Sequence, residues 1–250
     1  MTSAPTPTAS GSEARLARWP FWRANADRWT PHRVWDTDGD AALIQVDRAG
    51  GAVLIGLGEP APLARLLSDI EAAADVPAVS RAMLTRGTWA LVPDDVRRRT
   101  GLRAGRPWDW LSTAADPPRH DGDDRVVPLP GGVEQAHAIL ARAYPERGVH
   151  DDDASLDWWA YPGPAEEPAA VLAARRPAPG APVHLSAVGV LPEHRRRGVA
   201  ATLVAAVTRR ALREAAMVHL GIWADSDDAR RLYTRLGFDT GHQVENLVRA

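Results

Sequence analysis

The sequence predicts an α/β (α+β) protein in which helices flank a mixed central sheet and a second α/β domain precedes the main one. Segments with strand-like and helix-like apolar patterns alternate along the chain, as they do in α/β folds. The length of 250 residues suits two domains of ordinary size. Residues 112–124 are rich in Pro, Gly and Asp and offer a core little to bury, so we expect the domain boundary there.

The N-terminal domain is predicted at residues 15–118, after a segment at 1–14 whose small polar residues and prolines indicate disorder. Two apolar runs around a Gly-Gly pair predict a β-hairpin over Ala41–Gly58. Residues 61–74 then place leucines and an isoleucine on one helical stripe. Two strands followed by a helix are typical of the start of an α/β domain.

The C-terminal domain is predicted at residues 119–250, in the order β-α-β-β-β-α-β-α-β. Three of its strands are separated by turn-rich segments and predict an antiparallel meander. The predicted elements are a strand at 125–130, a helix at 131–144, strands at 156–161, 169–176 and 183–190, a helix at 199–216, a strand at 217–223, a helix at 227–237 and a closing strand from Phe238.

Composition excludes several classes of function. The chain has no cysteine, which removes disulfides, thiolate metal sites and a cysteine nucleophile. Its net charge of -2 disfavours an extended nucleic-acid surface. The N-terminus lacks the apolar run of a signal peptide, and no later segment approaches the length of a membrane span. We therefore expect a cytoplasmic protein that binds neither nucleic acid nor membrane.

Positive charge is nevertheless concentrated in the stretch VGVLPEHRRRGVA, residues 188–200, where a strand is followed by a helix. Pro192 ends the strand because it cannot donate to a ladder, and Gly198 stands where the helix begins. The unpaired amides and positive dipole end of a helix favour phosphate, and a glycine lets a phosphate approach the backbone. The stretch predicts a diphosphate site, whereas a charge run by itself is more often a solvated turn.

A second pattern, SDDARRLYTRLGF at residues 226–238, places an apolar stripe on a helix that ends at Gly237. Together the two segments resemble the GNAT superfamily of acyl-CoA N-acyltransferases, over about Arg125 to Ala250. The resemblance implies the GNAT fold for this region. The matching positions are Val188, Val190, Pro192, Arg195, Gly198 and Ala200 in the first motif, and Ala229, Leu232, Tyr233, Leu236, Gly237 and Phe238 in the second.

The resemblance implies a site for acetyl-CoA as acyl donor and no metal. Gly189 fits a β-bulge that frees a backbone amide for the thioester carbonyl. Ser226 stands where the family commonly has Asn, and it would hydrogen-bond the pantetheine arm with a shorter reach. The implied cofactor contacts are Val188, Gly189 and Val190 for the acyl group and pantetheine, Arg195, Arg196, Arg197, Gly198, Val199 and Ala200 for the pyrophosphate, and Ser226.

The resemblance assigns catalysis to Tyr233, whose phenol would protonate the departing thiolate; a packing role is the alternative. An unperturbed phenol pKa of about 10 lies above the thiol pKa of about 8.5, so the proton is present at neutral pH. Attack by an amine also needs a proton acceptor. His184, on the strand that leads into the motif, is the preferred candidate, and the weaker candidates are His150, Asp157, His242 and Glu245.

The predicted function is N-acetylation of a primary amine of a small molecule in a ternary complex. A protein or peptide N-acetyltransferase and a non-catalytic acyl-CoA-binding module are alternatives. Trp158 and Trp159 point to opposite faces of their strand, so one could line the acceptor pocket. The acidic run Asp151–Asp153 either attracts a cationic acceptor or is a solvated loop.

GNAT proteins with two tandem domains exist, so we interpret the first half as a degenerate or diverged GNAT-like domain or as an unrelated α/β cap, which in either case shapes the acceptor site without binding CoA. Residues 91–105 repeat a proline, arginines and a glycine, but Gly101, Gly105 and Pro107 forbid a long helix there.

Overall fold

The chain divides into two compact units in a computed structural model. The first unit holds the chain up to Trp110 together with Ile222–Ser226 and Thr240–Ala250, and the second holds Leu111–Gly221 and Asp227–Asp239. The predicted domains at 15–118 and 119–250 stay a prediction. The described residues are 12–37, 39–48, 51–73, 79–164 and 167–249.

The first unit contains a three-stranded meander, a crossover helix and a parallel fourth strand. The predicted disorder at 1–14 lies outside the described residues as far as residue 11, and a helix begins at Ser12. The elements are α1 (Ser12–Leu16), α2 (Pro20–Arg23), β1 (Pro31–Asp36), β2 (Ala41–Arg48), β3 (Gly51–Gly58), α3 (Pro60–Ala72), β4 (Val79–Thr85), α4 (Thr88–Leu91), α5 (Asp94–Thr100), β5 (Leu102–Ala104) and, at the end of the chain, β12 (Asp239–Arg249).

The sheet of the first unit has the order β1-β2-β3-β4-β12. The antiparallel pair β2 and β3 confirms the predicted hairpin, although its turn residues 49–50 lie outside the described part. Helix α3 crosses from β3 to β4, which runs parallel to β3. The apolar stripe of α3, including Leu63, Leu66 and Ile70, packs against this sheet and forms the core. β12 pairs antiparallel with both β4 and β5.

The elements follow the predicted order from β7 to α8, whereas the predicted closing strand is β12, most of which belongs to the first unit; the mixed α/β fold class is confirmed. The sheet of the second unit has the order β11-β10-β9-β8-β7, in which β10 and β11 are parallel and the other pairs are antiparallel. The elements are β6 (Trp108–Thr113), which begins in the first unit, β7 (Val127–Pro128), α6 (Gly132–Ala143), β8 (Asp157–Pro162), β9 (Pro168–Arg175), β10 (Val183–Val190), α7 (Val199–Leu212), β11 (Val218–Trp223), which ends in the first unit, and α8 (Asp227–Arg235).

Helices cover both faces of the sheet of the second unit because its central strand, β9, is apolar from Pro168 to Ala174. β9 is buried from Pro168 to Ala174, so both of its faces need a cover. Helix α6 supplies Ala136, Ile139 and Leu140 to the face that carries Trp158. Helix α7 contacts β8, β9 and β10, as α6 does, and buries a broad stripe of side chains that includes Leu203, Val204 and Val207.

Both units therefore contain an antiparallel meander of three strands, followed by a helix and by a strand that runs parallel to the last strand of the meander. In this order, the connection from β3 to α3 corresponds to the connection from β10 to α7. Residues 91–105, where the sequence suggested an echo, lie elsewhere, in the region of α5 and β5 after β4. As predicted, that helix is short, because Gly101 ends it with φ of 66°.

Candidate active site

The connection from β10 to α7, residues 191–198, is a turn with a left-handed backbone at two positions. A single 3₁₀ turn at Pro192–His194 follows the strand, and α7 begins at Val199. Gly198 has φ of 79°, and Arg196 has φ of 63°, which is uncommon for a residue with a side chain. Such backbone strain persists where the surroundings enforce it, and it clusters at binding and catalytic sites.

The N-terminus of α7 is open to an anion. Gly198 is the N-cap and makes no side-chain cap hydrogen bond, and the first turn contains no acidic residue. Thr202 N–H donates to the Gly198 carbonyl at 3.0 Å, so the amides of the preceding residues in the first turn have no acceptor within the helix. A Cβ built at Gly198 would meet nothing within 4 Å, so no neighbouring atom fills the space beside it.

The three arginines of this turn differ in their surroundings. Arg196 and Arg197 are exposed beside the start of α7. Arg195 is exposed as well, but its side chain has backbone partners: its Nε donates to the Val190 carbonyl at 3.1 Å and its terminal nitrogen to the Ala143 carbonyl at 2.8 Å. Arg195 therefore ties the turn to the ends of β10 and α6, and its predicted contact with pyrophosphate stays a prediction.

The predicted bulge in β10 is present, but it lies before Gly189. The register with β9 shifts between Ser186 and Gly189, and Ala187 has φ of 52°. Gly189 itself pairs with Val171. The glycine is needed for close packing, because a Cβ there would lie 2.8 Å from a methyl group of Leu140. The residue that leaves the ladder therefore precedes the predicted one.

Strands β10 and β11 meet at their beginnings. Among the described residues, their parallel ladder joins Val183 to Val218 and His184 to His219. The imidazole rings of His184 and His219 lie 4.9 Å apart, with His219 buried and His184 half-buried. His184, the preferred candidate for the proton acceptor, therefore lies at the end of the ladder between β10 and β11.

Tyr233 is fixed by the way α8 ends. Gly237 has φ of 83°, the Phe238 N–H donates to the Tyr233 carbonyl at 3.0 Å, and the Gly237 N–H donates to the Thr234 carbonyl at 3.0 Å. These are the two hydrogen bonds of a Schellman motif, and the accompanying apolar contact joins the Tyr233 and Phe238 rings at 5.7 Å. The Leu-Gly-Phe end of the second motif therefore sets the position of the tyrosine.

The phenol of Tyr233 is buried and stays protonated. Burial raises the pKa of Tyr233 well above its ordinary value, and the nearby Tyr144 raises it further. Tyr144, at the end of α6, was missed by sequence reasoning. It follows the buried Leu140 by one helical turn, and this spacing could have indicated it.

The remaining predicted residues of the second unit have structural partners. Asp157 forms an ion pair with Arg176 at 3.1 Å, and the His150 imidazole Nε2 lies 2.9 Å from the Arg147 carbonyl. Val188 and Val190 are half-buried on β10. Helix α7 begins with Val199 and Ala200, which are also half-buried.

Three predicted residues belong to the first unit. Ser226 immediately precedes α8, and its N–H donates to the Trp223 carbonyl at 3.0 Å. His242 stacks on Phe21 at 4.7 Å, and burial lowers the pKa of His242 to about 4, so this imidazole is neutral at pH 7. Glu245 accepts hydrogen bonds from the amides at the start of α4, and burial raises its pKa. These contacts give His242 and Glu245 packing and capping roles.

The acidic run at Asp151–Asp153 is only partly solvated. Asp153 is 1% exposed and is held by Arg147, one nitrogen of which lies 2.8 Å from its Oδ2. The His137 Nε2 lies 2.9 Å from the same oxygen. The Arg147 guanidinium holds the pKa of Asp153 well below its usual range. Asp153 therefore fastens the loop before β8 to α6.

Replacing Asp153 with Asn is expected to lower the free energy of unfolding by about 3 to 5 kcal/mol, because Arg147 then loses its buried counter-charge. The pKa of Asp153 is lowered in the folded state, so this stabilisation is present above the unfolded pKa of about 4 and is lost as the pH falls through lower values. Urea unfolding at several pH values measures both effects. The exposed Asp151→Asn is the control, with an expected change within about 0.5 kcal/mol; equal losses in the two variants would contradict this role.

The two tryptophans of β8 lie on opposite faces, as predicted. Trp158 is buried under α6, and the Arg210 guanidinium lies over the Trp159 ring at 5.0 Å. Both tryptophans line a cavity of about 500 Å³ at the beginning of β8 and α6. Within the described ranges, no group of three or more His, Cys, Asp or Glu side chains could hold a metal ion. Nor does any helix there have the length and apolarity needed to cross a membrane.

Comparisons with known proteins agree with this geometry. A model described as the acetyltransferase (GNAT) family matches residues 133–238. No curated protein matches the chain. The X-ray structure of a Drosophila protein is similar with a TM-score of 0.64 and 15% identity, covering 100% of this chain and 99% of that one.

Two bacterial proteins show the same fold. A GCN5-related N-acetyltransferase from Sphaerobacter thermophilus has a TM-score of 0.54 and 18% identity, covering 99% of this chain and 96% of that one. Another from Kribbella flavida has a TM-score of 0.53 and 21% identity, covering 96% of each chain. The residues that match the acetyltransferase (GNAT) family model, 133–238, include both sequence motifs and the connection between β10 and α7, and the three solved structures share the fold of the chain.

Proposed function

We propose that the protein is an acetyl-CoA-dependent N-acetyltransferase that acts on a primary amine of a small molecule in a ternary complex. The observation that carries the proposal is the uncapped start of α7, with exposed arginines beside it. An uncapped helix start of this kind satisfies its amides with an anion, and guanidinium groups add charge that does not depend on pH. A chain without cysteine needs no oxidising compartment, which suits a cytoplasmic enzyme.

The residues present fit the diphosphate of acetyl-CoA. Space beside Gly198 lets a phosphate approach the first-turn amides of Val199 and Ala200, and Arg196 and Arg197 supply positive charge. Bound there, acetyl-CoA supplies an acyl group activated as a thioester. The backbone of Val188, Gly189 and Val190 is the proposed contact for the acyl group and pantetheine, and Ser226 a further one.

Acyl transfer requires two proton movements. A C–N bond forms as the C–S bond breaks, one proton leaves the amine, and one proton reaches the sulfur. The Tyr233 hydroxyl is the proposed donor to sulfur, and its raised pKa keeps it protonated at neutral pH. A backbone amide freed by the bulge near Ala187 would stabilise the charge that develops on the carbonyl oxygen.

His184 is the proposed acceptor of the amine proton. Its half-buried ring lies on β10, the strand whose later residues are the proposed acyl contacts, and beside the ring of His219. Imidazole is the side chain whose ordinary pKa of about 6.5 lets it take up and release a proton near neutral pH.

Calorimetry with CoA and acetyl-CoA tests the cofactor site, and thiol release from acetyl-CoA across a panel of amines tests transfer. We expect heat with both cofactors and thiol release with at least one amine. Heat without thiol release on any small amine or peptide would indicate an acyl-CoA-binding module. Release with peptides alone would indicate a peptide acetyltransferase, and an absence of heat would overturn the proposal.

The first unit is proposed to be a diverged copy without a cofactor site. Its β3 to α3 connection contains no arginine: Glu59 is the N-cap, and Pro60 follows it at the first helical position without an N–H to offer. A Cβ at Gly58 would clash with the Asp40 carbonyl oxygen, so the backbone there is tightly enclosed. A carboxylate at a closed helix start repels phosphate.

A further inference from the structure

The cavity of about 500 Å³ in the second unit has the walls of a small-molecule site. Leu129, Val133 and Leu156 line it together with Trp158 and Trp159. Small-molecule sites enclose about 300 to 1,000 Å³ and combine apolar walls with a few polar groups. The walls therefore suit an apolar or aromatic group.

The charged groups of the cavity are one carboxylate and one guanidinium. The Asp157 Oδ2 lies 3.1 Å from the Arg176 Nε, and a second Arg176 nitrogen lies 3.1 Å from Glu214. The Asp157 side chain is 56% exposed and that of Arg176 is 26% exposed. Solvent-exposed ion pairs contribute little net stability, so a ligand can take over either partner. A positive and a negative group side by side complement a ligand that carries both charges.

The cavity is separate from the proposed cofactor site. Its residues include Gly132 and Val133 at the start of α6. Arg195, in the connection from β10 to α7 that we call the phosphate turn, contacts the carbonyl of Ala143 at the other end of α6. The 11 residue steps of α6 between Gly132 and Ala143 correspond to about 16 Å at 1.5 Å per residue. A ligand in the cavity therefore leaves the phosphate turn accessible.

We propose that this cavity binds a small zwitterion with an apolar or aromatic body, the chemistry of an apolar α-amino acid. The ammonium group contacts Asp157, the carboxylate contacts Arg176, and the body lies against Trp158, Leu156 and Val133. The proposal does not depend on acyl transfer, because the site is defined by binding alone.

Three probes with the same aryl-ethyl body test it on the full chain by calorimetry: L-phenylalanine, phenethylamine without the carboxylate, and 3-phenylpropionate without the ammonium. L-Phenylalanine is expected to bind about tenfold more tightly than either other probe, because each lost charge-assisted hydrogen bond weakens binding by about that factor. Equal affinities for the three, tighter binding of a singly charged probe, or an absence of heat with all of them would overturn the proposal.

Two variants test which residue binds the ammonium group and which binds the carboxylate. Asp157→Asn is expected to weaken L-phenylalanine and phenethylamine about tenfold and to leave 3-phenylpropionate unchanged, whereas Arg176→Gln gives the reverse pattern. Asp151→Asn, in the exposed loop outside the cavity, is the matched control and is expected to change none of the affinities. Saturating CoA is also expected to leave L-phenylalanine binding unchanged. Thermal melting of each variant separates a local loss from unfolding; uniform weakening of all three probes in a folded variant contradicts the assignment.

Discussion

Ala200→Glu is expected to weaken CoA binding at least about 100-fold, a change of about 2.7 kcal/mol, without destabilising the fold. Ala200 lies in the first turn of α7, where a carboxylate interacts favourably with the helix dipole. The same carboxylate would occupy the unpaired amides and repel the diphosphate. Calorimetry at physiological salt measures the loss, because lower salt would exaggerate the repulsion.

Ala200→Gln provides the control for size at this position. It adds a side chain of the same length without charge, so a far smaller loss of affinity is expected, and thermal melting should show both variants folded. Wild-type affinity in Ala200→Glu would mean that CoA does not bind at the start of α7. Equal losses in the two variants would point to steric exclusion rather than charge.

Tyr233→Phe is expected to lower kcat by about 10²- to 10⁴-fold, the usual contribution of a positioned proton donor, while the Kd for CoA stays unchanged. The phenyl ring keeps the contact with Phe238 and the end of α8, so the Schellman motif persists. Stopped-flow thiol release with saturating amine measures the effect, after the amine panel has identified an acceptor.

Tyr161→Phe serves as the matched control, since the Tyr161 hydroxyl accepts a hydrogen bond from Arg125 and has no part in the proposed chemistry. Its kcat should equal that of the wild type. A Tyr233→Phe variant with wild-type kcat would remove the tyrosine from the mechanism and leave it a packing residue. A loss of CoA affinity instead would show that the hydroxyl acts in binding.

The order of elements in the second unit was predictable because it depends on local signals. Turn-rich segments separate the strands, the stripe of α7 repeats at helical spacing, and Gly237 ends α8 with the backbone that only glycine adopts without strain. The same local logic indicated the glycine at the start of α7. These features need no knowledge of what packs against them.

Other features depend on contacts between distant residues. The Arg195 side chain is held by the Ala143 carbonyl, 52 residues earlier, which accepts its hydrogen bond. Asp153 is buried because Arg147 and His137 reach it, and no charge pattern distinguishes it from its exposed neighbour Asp151. The register of β10 shifts before Gly189, and Leu140 of α6 packs closely against that glycine, a contact that the sequence of the strand does not reveal.

The pairing of β12 with β4 has a consequence for dissecting the protein. The ladder joins Arg81–Thr85 to Val244–Val248, which are among the last residues of the chain. A fragment that stops at residue 118 would expose the backbone groups of β4 and invite association with other copies. Expressed separately, a fragment that ends at residue 118 and one that begins at residue 119 should therefore both be insoluble. Co-expression of the two fragments should restore soluble protein by complementation.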